Sequence, residues 1–141
     1  MKIVIAADHG GVNLKASLVE YLQEQGLTVE DLGGFDPQAD DSYSDEADKV
    51  VEKVLANEAD WGIIVCGSGI GVSIRANRHK GIRAALVHNT QTAGMAKQHN
   101  NVNVLCFGER VIWACEGGVH GCLQRPGGKI RICRRVCQWC A

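Results

Sequence analysis

The chain has 141 residues, 45% of them hydrophobic and 22% charged, with only two prolines, which is typical of one globular domain and excludes extensive disorder. No apolar run approaches the roughly 18 residues of a membrane span, and the apolar run after Met1 is too short for a signal peptide, so we expect a cytoplasmic protein without a membrane partner. The formal net charge of −1 gives no electrostatic reason to expect a nucleic-acid partner.

In chain order, short apolar runs alternate with segments of helical spacing. Residues 2–7 form a β-branched apolar run that ends in Asp-His-Gly-Gly, which predicts a buried strand followed by a turn. Residues 12–25 place leucines at helical spacing before Gly26, which is typical of a helix and its stop signal. The same reasoning predicts strands over 27–32, 61–65, 82–87 and 102–107, a polar loop over 33–44, and helices over 45–57, 70–77 and 90–98.

This alternation of strands and helices predicts the fold class. Strands that alternate with helices pair in parallel through right-handed crossovers, and continuous apolar strands indicate helices on both faces of the sheet. We therefore predict one doubly wound, Rossmann-like α/β domain of three layers, with a five-stranded parallel sheet, over residues 1–112. In such domains ligands bind beyond the carboxyl ends of the strands. Those ends carry Asp8-His9, the turn that begins at Cys66, and the segment after Phe107.

The segment Cys66-Gly-Ser-Gly-Ile-Gly lies between a predicted strand and a predicted helix. Its glycines let the backbone approach a ligand, and the free N–H groups of the helix start could bind an anion, although a tight turn without a ligand has the same pattern. A thiol at a helix start has its anion stabilised, so Cys66 is a candidate base, and an inert buried cysteine is the alternative. Cys106 lies inside an apolar strand and is predicted to be core.

Further side chains near the strand ends could take part in chemistry. Asp8 and His9 could bind hydroxyl or phosphate groups, or form only an Asx turn with a surface histidine. His99 could act as a general acid or base, or only cap a helix. Arg110 suits a phosphate group, or forms a surface salt bridge. Together these residues predict a thiol, two imidazoles, an anion-binding turn and a guanidinium at one edge of the sheet, and cofactor-free acid–base chemistry on a small anionic substrate.

Several motifs, in the same order along the chain, resemble the ribose-5-phosphate isomerase B family, which includes galactose-6-phosphate and allose-6-phosphate isomerases. They are Asp8-His9-Gly10-Gly11, Cys66-Gly-Ser-Gly-Ile-Gly, Gly81-Ile-Arg83-Ala84, Gln98-His99-Asn100 and Gly108-Glu109-Arg110-Val111. The resemblance covers residues 1 to about 112. It implies an isomerase, with no metal or other cofactor, that interconverts ribose 5-phosphate and ribulose 5-phosphate through a cis-enediolate in the pentose phosphate pathway.

The same resemblance implies roles for individual residues. Cys66 is the base that moves a proton between carbons 2 and 1 of the sugar, and His99 helps to open the furanose ring. The enediolate is stabilised by Ser68 and by the amides of Gly67, Gly69, Ile70 and Gly71. Substrate oxygens and phosphate are held by Asp8, His9, Tyr43, Asn100 and Arg110. Family members are dimers or tetramers with a shared active site, so His99 and Asn100 are expected to serve the second subunit of a homodimer or tetramer.

Two other functions stay open at this point. A hexose-phosphate isomerase, acting on allose 6-phosphate or galactose 6-phosphate, would have the same motifs, because the choice of sugar depends on the depth of the pocket. A phosphosugar-binding module that no longer turns over would also have them, if the C-terminal tail lacks residues that the phosphate needs.

That tail, residues 113–141, departs from the family pattern. It contains five of the seven cysteines and two of the three tryptophans, and its net charge is +4 against −5 for the rest of the chain. Its glycines and Pro126 would break the long C-terminal helix that the resemblance implies. In place of the family's phosphate-binding arginine motif the tail has Glu116-Gly-Gly-Val-His120.

A frameshift near codon 113 is our preferred explanation of the tail. Trp113 has the single codon TGG, and moving the frame by one base gives GGG, which encodes the glycine that the family has there. The rival interpretation is a metal site on Cys133, Cys137 and Cys140, whose spacing resembles an iron–sulfur motif and could also bind zinc.

Overall fold

The computed structural model of the protein describes residues 1–112, so the predictions for the tail lie outside the described residues. Its strands are β1 (Lys2–Ala7), β2 (Thr28–Asp31), β3 (Trp61–Cys66), β4 (Ala84–Leu86) and β5 (Val104–Gly108). Its helices are α1 (Val12–Glu24), α2 (Tyr43–Leu55), α3 (Ile70–Ala76), α4 (Thr90–Asn100) and α5 (Glu109–Ile112). None of the helices within residues 1–112 has the length and apolarity of a membrane span.

Most boundaries lie within two residues of the sequence prediction, and three of the differences have a clear physical reason. Helix α2 begins two residues earlier than predicted, at Tyr43, because Ser42 takes the N-cap position in an extended conformation. Strand β4 has only three residues, because it is an edge strand that pairs with β5 alone. Helix α4 continues to Asn100 and ends where Asn101 adopts a left-handed conformation (φ 46°).

The sheet is entirely parallel, with strand order β2-β1-β3-β5-β4. The predicted doubly wound α/β fold is therefore confirmed. The chain moves outward from β1 to β2 and then returns to the other side of β1 to form β3. This reversal opens a crevice beyond the carboxyl ends of β1 and β3, where doubly wound folds place their ligands. In register, Ala7 lies beside Val65 and Cys66 lies beside Gly108, so these ends meet at one edge.

Two hydrophobic cores make this a three-layer structure. Alternate residues of each strand point to opposite faces, so Ile3 and Ile5 lie in one core, and Val4 and Ala6 lie in the other. The first core is completed by Leu14, Leu18 and Leu22 of α1 and by Ala93 and Ala96 of α4. The second is completed by Ala47, Val50, Val51 and Val54 of α2 and by Val72 and Ala76 of α3.

A buried ion pair joins α1 to the end of β2. Nothing in the sequence pattern indicated this pair. The Lys15 side chain is 2% exposed, and its Nζ donates to both carboxylate oxygens of Asp31, at 2.7 and 2.6 Å. Nζ also lies 4.0 Å from the centre of the Phe35 ring. Asp31 in turn accepts the backbone N–H of Gly33 at 3.1 Å. The pair thus anchors the start of the loop that follows β2.

We expect Lys15→Met to lower the free energy of unfolding by about 2 kcal/mol, because it leaves the largely buried Asp31 carboxylate without its cation. Adding Asp31→Asn should recover part of this loss, since asparagine carries no charge and can still accept the Gly33 N–H. Urea unfolding of the two single variants and the double variant measures the coupling. Strictly additive effects of the two substitutions would contradict the ion-pair account.

Candidate active site

Three loops meet at the carboxyl edge of the sheet, and backbone hydrogen bonds join them. The loop after β1 is fixed to β3 because the Asp8 N–H donates to the Val65 carbonyl at 3.2 Å. The turn after β3 is fixed to the segment after β5 because the Arg110 N–H donates to the Gly67 carbonyl at 3.0 Å. Three chain segments that are distant in sequence are thereby brought into one site, as the sequence predicted for this edge.

Cys66 is the last residue of β3 and is 5% exposed. Its Sγ accepts the backbone N–H of Gly69 at 3.0 Å. Gly69 has a φ of 77°, and a side chain there would place its Cβ 2.5 Å from Leu86 Cδ1, so glycine is required for this turn. The turn therefore presents a backbone amide donor to the Cys66 sulfur.

Ser68 lies at the middle of the same turn. Its Oγ accepts the N–H of Ile70, the first residue of α3, at 3.2 Å. The Ser68 hydroxyl thus accepts one backbone hydrogen bond and still has its own hydrogen to donate. The arrangement suits a side chain that donates to an oxyanion.

Tyr43 and Arg110 border this turn from two sides. The Tyr43 ring packs against Gly71, so closely that a Cβ at residue 71 would lie 3.0 Å from Tyr43 Cε2. The Arg110 guanidinium covers Gly67, where a Cβ would lie 3.3 Å from Arg110 Cζ. Both side chains are exposed, so they can contact a ligand that is bound over the turn.

Asp8 is 7% exposed at the end of β1, and its Oδ1 accepts the Gly10 N–H at 2.8 Å. Burial raises the pKa of the Asp8 carboxyl above its ordinary value of 3.8, while the Gly10 N–H and the positive charges of His9 and Arg110 act in the opposite direction. His9 and Arg110 are thus close enough to Asp8 to interact electrostatically with its carboxyl group. The structure brings together the predicted residues of the first, third and fifth strand ends.

The raised pKa of Asp8 gives a prediction for stability against pH. Because the folded state favours the neutral carboxyl, the contribution of Asp8 to stability is fully present below pH 3.8 and is lost as the pH rises through its folded pKa. Asp8→Asn keeps the acceptor for Gly10 and removes the charge, so we expect a higher Tm than wild type at pH 7 and an equal Tm near pH 3. Thermal unfolding at both pH values tests this prediction, and a Tm below that of wild type at pH 7 would contradict it.

The expectation that His99 lies at the same edge of the sheet as Cys66 is wrong for two residues of the same chain. A crossover helix runs antiparallel to the strands it connects, so α4 starts beyond β4 and ends near the beginning of β5. His99 and Asn100 occupy that far end and are exposed. The five residues of β5 span about 13 Å between the two edges. Asn100 lines a separate cavity of about 280 Å³ with Asn77, Arg83, Ala84, Ala85 and Val102.

Sequence reasoning also missed Glu109. Its carboxylate accepts the Leu14 N–H at 2.8 Å and the Asn13 side-chain amide at 3.1 Å. It thereby joins the segment after β5 to the start of α1. The sequence indicated only that α1, which begins after two glycines and has no capping side chain of its own, needs an acceptor from another segment.

Comparisons with known proteins agree with this geometry. A family model described as Ribose/Galactose Isomerase matches residues 3–116. A putative sugar phosphate isomerase of Bacillus subtilis is 46% identical over 112 residues, which are 79% of this chain and 75% of that protein. The structure of Clostridium thermocellum ribose-5-phosphate isomerase B superposes with a TM-score of 0.77 at 45% identity, over 79% of this chain and 75% of that one. Mycoplasma genitalium ribose-5-phosphate isomerase B, solved with bound ribulose-5-phosphate, superposes with a TM-score of 0.75 at 45% identity, over 79% and 74% of the two chains.

Proposed function

Because the chain belongs to the ribose/galactose isomerase family and is a sugar-phosphate isomerase, we propose that it interconverts ribose 5-phosphate and ribulose 5-phosphate through a cis-enediolate. The observation that carries this proposal is the Cys66 thiol, which accepts the Gly69 N–H at the ligand-binding edge of the sheet. Structural relatives at 45% identity include a ribose-5-phosphate isomerase B with ribulose-5-phosphate bound, which supports the same sugar here.

In the proposed reaction, Cys66 is a base that acts on the open-chain sugar. The thiolate takes the proton from carbon 2, the electron pair of that C–H bond forms the carbon 1–carbon 2 double bond of the enediolate, and the carbonyl electrons of carbon 1 move to its oxygen. The thiol then gives a proton to carbon 1 and becomes a thiolate again, while the hydroxyl proton on carbon 2 passes to the oxygen of carbon 1, which leaves a ketone at carbon 2. Carbon 1 is reduced and carbon 2 is oxidised, so the step needs no external oxidant or reductant.

The negative charge that develops on the enediolate oxygens is stabilised by the turn around Ser68. The Ser68 hydroxyl, whose Oγ accepts the Ile70 N–H, donates its hydrogen to one oxygen. The backbone amides of Gly67, Gly69, Ile70 and Gly71 supply further donors around the same turn. Donors that are fixed before the reaction contribute the most to such stabilisation.

The remaining predicted residues hold the sugar and its phosphate. Asp8 and Tyr43 lie beside the turn and bind sugar hydroxyl groups. His9 and Arg110 lie close enough to Asp8 to interact with its carboxyl group, and they bind the phosphate. The planar guanidinium of Arg110 matches the geometry of a phosphate group. Since a substrate with this phosphate is an anion, the Arg110 guanidinium next to the turn favours its approach.

His99 and Asn100 enter this proposal through a second copy of the chain. Their position at the far end of α4 keeps them away from the Cys66 of their own subunit, so ring opening by His99 requires an oligomer in which the α4 end of one subunit meets the carboxyl edge of the other. We propose a homodimer of this kind, with Asn100 binding a sugar oxygen beside His99. The replacement of the usual C-terminal helix by residues 113–141 stays a prediction.

Steady-state turnover tests the proposed function. The purified full chain is assayed with ribose 5-phosphate, allose 6-phosphate and galactose 6-phosphate. We expect kcat/KM for ribose 5-phosphate to exceed the hexose values by about tenfold or more, as is usual when a pocket discriminates by one carbon unit. No ribulose 5-phosphate above the enzyme-free rate, or a faster reaction with either hexose phosphate, would contradict the proposal.

A further inference from the structure

One carboxylate joins the segment after β5 to the first turn of α1. Glu109 Oε2 accepts the backbone N–H of Leu14 at 2.8 Å, and Oε1 accepts the side-chain amide of Asn13 at 3.1 Å. These two residues form the first turn of α1 and lie about a hundred positions earlier in the chain. Glu109 therefore acts as a helix cap from a distant segment.

Helix α1 depends on this cap because it cannot carry its own. Its N-cap residue is Gly11, and its first turn has no acidic side chain. A Cβ at Gly11 would lie 2.7 Å from the Val65 side chain and 2.8 Å from the Val65 carbonyl carbon, so no serine, threonine or aspartate fits there. Glu109 supplies both the missing acceptor and the negative charge that a helix start favours.

The neighbours of Glu109 make this cap relevant to the proposed site. Gly108 lies beside Cys66 in the sheet register, and the Arg110 N–H donates to the Gly67 carbonyl. The short segment 108–110 thus holds the Cys66 turn through its backbone and α1 through the Glu109 side chain. Only residues 8–11 separate β1 from α1, so a shift in the first turn of α1 passes directly to Asp8 and His9.

We propose that Glu109 is a positioning residue that sets the spacing between the Asp8–His9 loop and Arg110, and thereby the affinity for the phosphate group of the substrate. The inference rests on the proposed function, because it assigns His9 and Arg110 to the phosphate. Glu109 itself faces α1 and touches neither the thiol nor the turn around Ser68. It therefore acts on binding more than on proton transfer.

The test compares Glu109→Ala with Glu109→Gln and with a matched control, Glu58→Ala. Glutamine still accepts the Leu14 N–H, whereas alanine leaves that N–H without its partner. Glu58 is an exposed glutamate that pairs with Lys53 at the opposite edge of the sheet. We expect Glu109→Ala to raise both KM for ribose 5-phosphate and Ki for inorganic phosphate by about tenfold, with kcat within about twofold of wild type. Glu109→Gln and Glu58→Ala should keep both constants within about twofold.

A purely structural cap gives a different pattern. If Glu109→Ala lowers Tm while KM and Ki stay at the wild-type values, or if Glu109→Gln is as impaired as Glu109→Ala, the inference is overturned. Should the wild type fail to convert ribose 5-phosphate, the proposed function falls, and titration calorimetry with inorganic phosphate still decides the inference. A tenfold weaker Kd in Glu109→Ala than in wild type would support it, and equal Kd values would overturn it.

Discussion

Replacing Cys66 by alanine is expected to lower kcat for ribose 5-phosphate by at least about 1,000-fold, with the fold intact. The proton on carbon 2 of an aldose is removed only by a base that lies next to it, and the proposed site uses the Cys66 thiolate for that purpose. Alanine fits the same buried position, so circular dichroism and Tm should stay close to those of wild type. Assays of ribulose 5-phosphate formation measure the loss.

Cys106→Ala is the matched control for this prediction. Cys106 lies on the adjacent strand β5 and in the same hydrophobic core as Cys66. Burial raises the pKa of the Cys106 thiol far above its ordinary range, so this thiol stays neutral and cannot act as a base. We expect Cys106→Ala to keep kcat within about twofold while losing about 1 kcal/mol of stability. Equal losses of activity in the two variants would show that Cys66 has no special role.

Mixing two inactive variants should restore activity if the active site is shared. We expect Cys66→Ala and His99→Ala each to abolish turnover when they form separate homodimers. After joint denaturation and refolding, half of the dimers contain one subunit of each kind, and one of the two sites in such a dimer has an intact Cys66 and an intact His99. Activity should therefore recover to about a quarter of the wild-type value.

A third variant controls this complementation experiment. Mixing Cys66→Ala with the double variant Cys66→Ala/His99→Ala gives no subunit with an intact thiol, so it should give no activity. Native mass spectrometry of chains that differ in mass reports whether mixed dimers have formed. Mixed dimers without recovered turnover would contradict an active site that combines Cys66 of one subunit with His99 of the other.

The sequence was sufficient for the strands and their parallel arrangement, because five apolar runs of strand length leave few alternatives. It was also sufficient to bring Asp8, Cys66 and Arg110 to one edge, since the direction of parallel strands fixes where their ends lie. The direction of parallel strands also fixes the position of His99, because the helix that carries it runs back to the start of β5. His99 was expected at the strand ends only because its imidazole suits the chemistry there. The topology places it at the other edge.

Pairs formed by distant residues were beyond sequence reasoning. Lys15 looks like an ordinary exposed helix residue, and only the packing of α1 against the end of β2 shows that it is buried beside Asp31. Glu109 has no local sequence signal, because its partners in α1 are about a hundred residues away. In both cases the energetic role depends on tertiary burial, which a one-dimensional pattern does not contain.

The fate of the carbon-bound proton tests the central claim most directly. Ribose 5-phosphate is converted in D2O, and the product is followed by NMR. If the Cys66 thiol exchanges its proton with solvent, deuterium should appear at carbon 1 of ribulose 5-phosphate as the reaction approaches equilibrium. Wild type and Cys106→Ala should accumulate this label at similar rates, and Cys66→Ala should accumulate none above the enzyme-free rate. Labelling by Cys66→Ala at the wild-type rate, or a loss of labelling in Cys106→Ala as large as that in Cys66→Ala, would contradict proton transfer by Cys66.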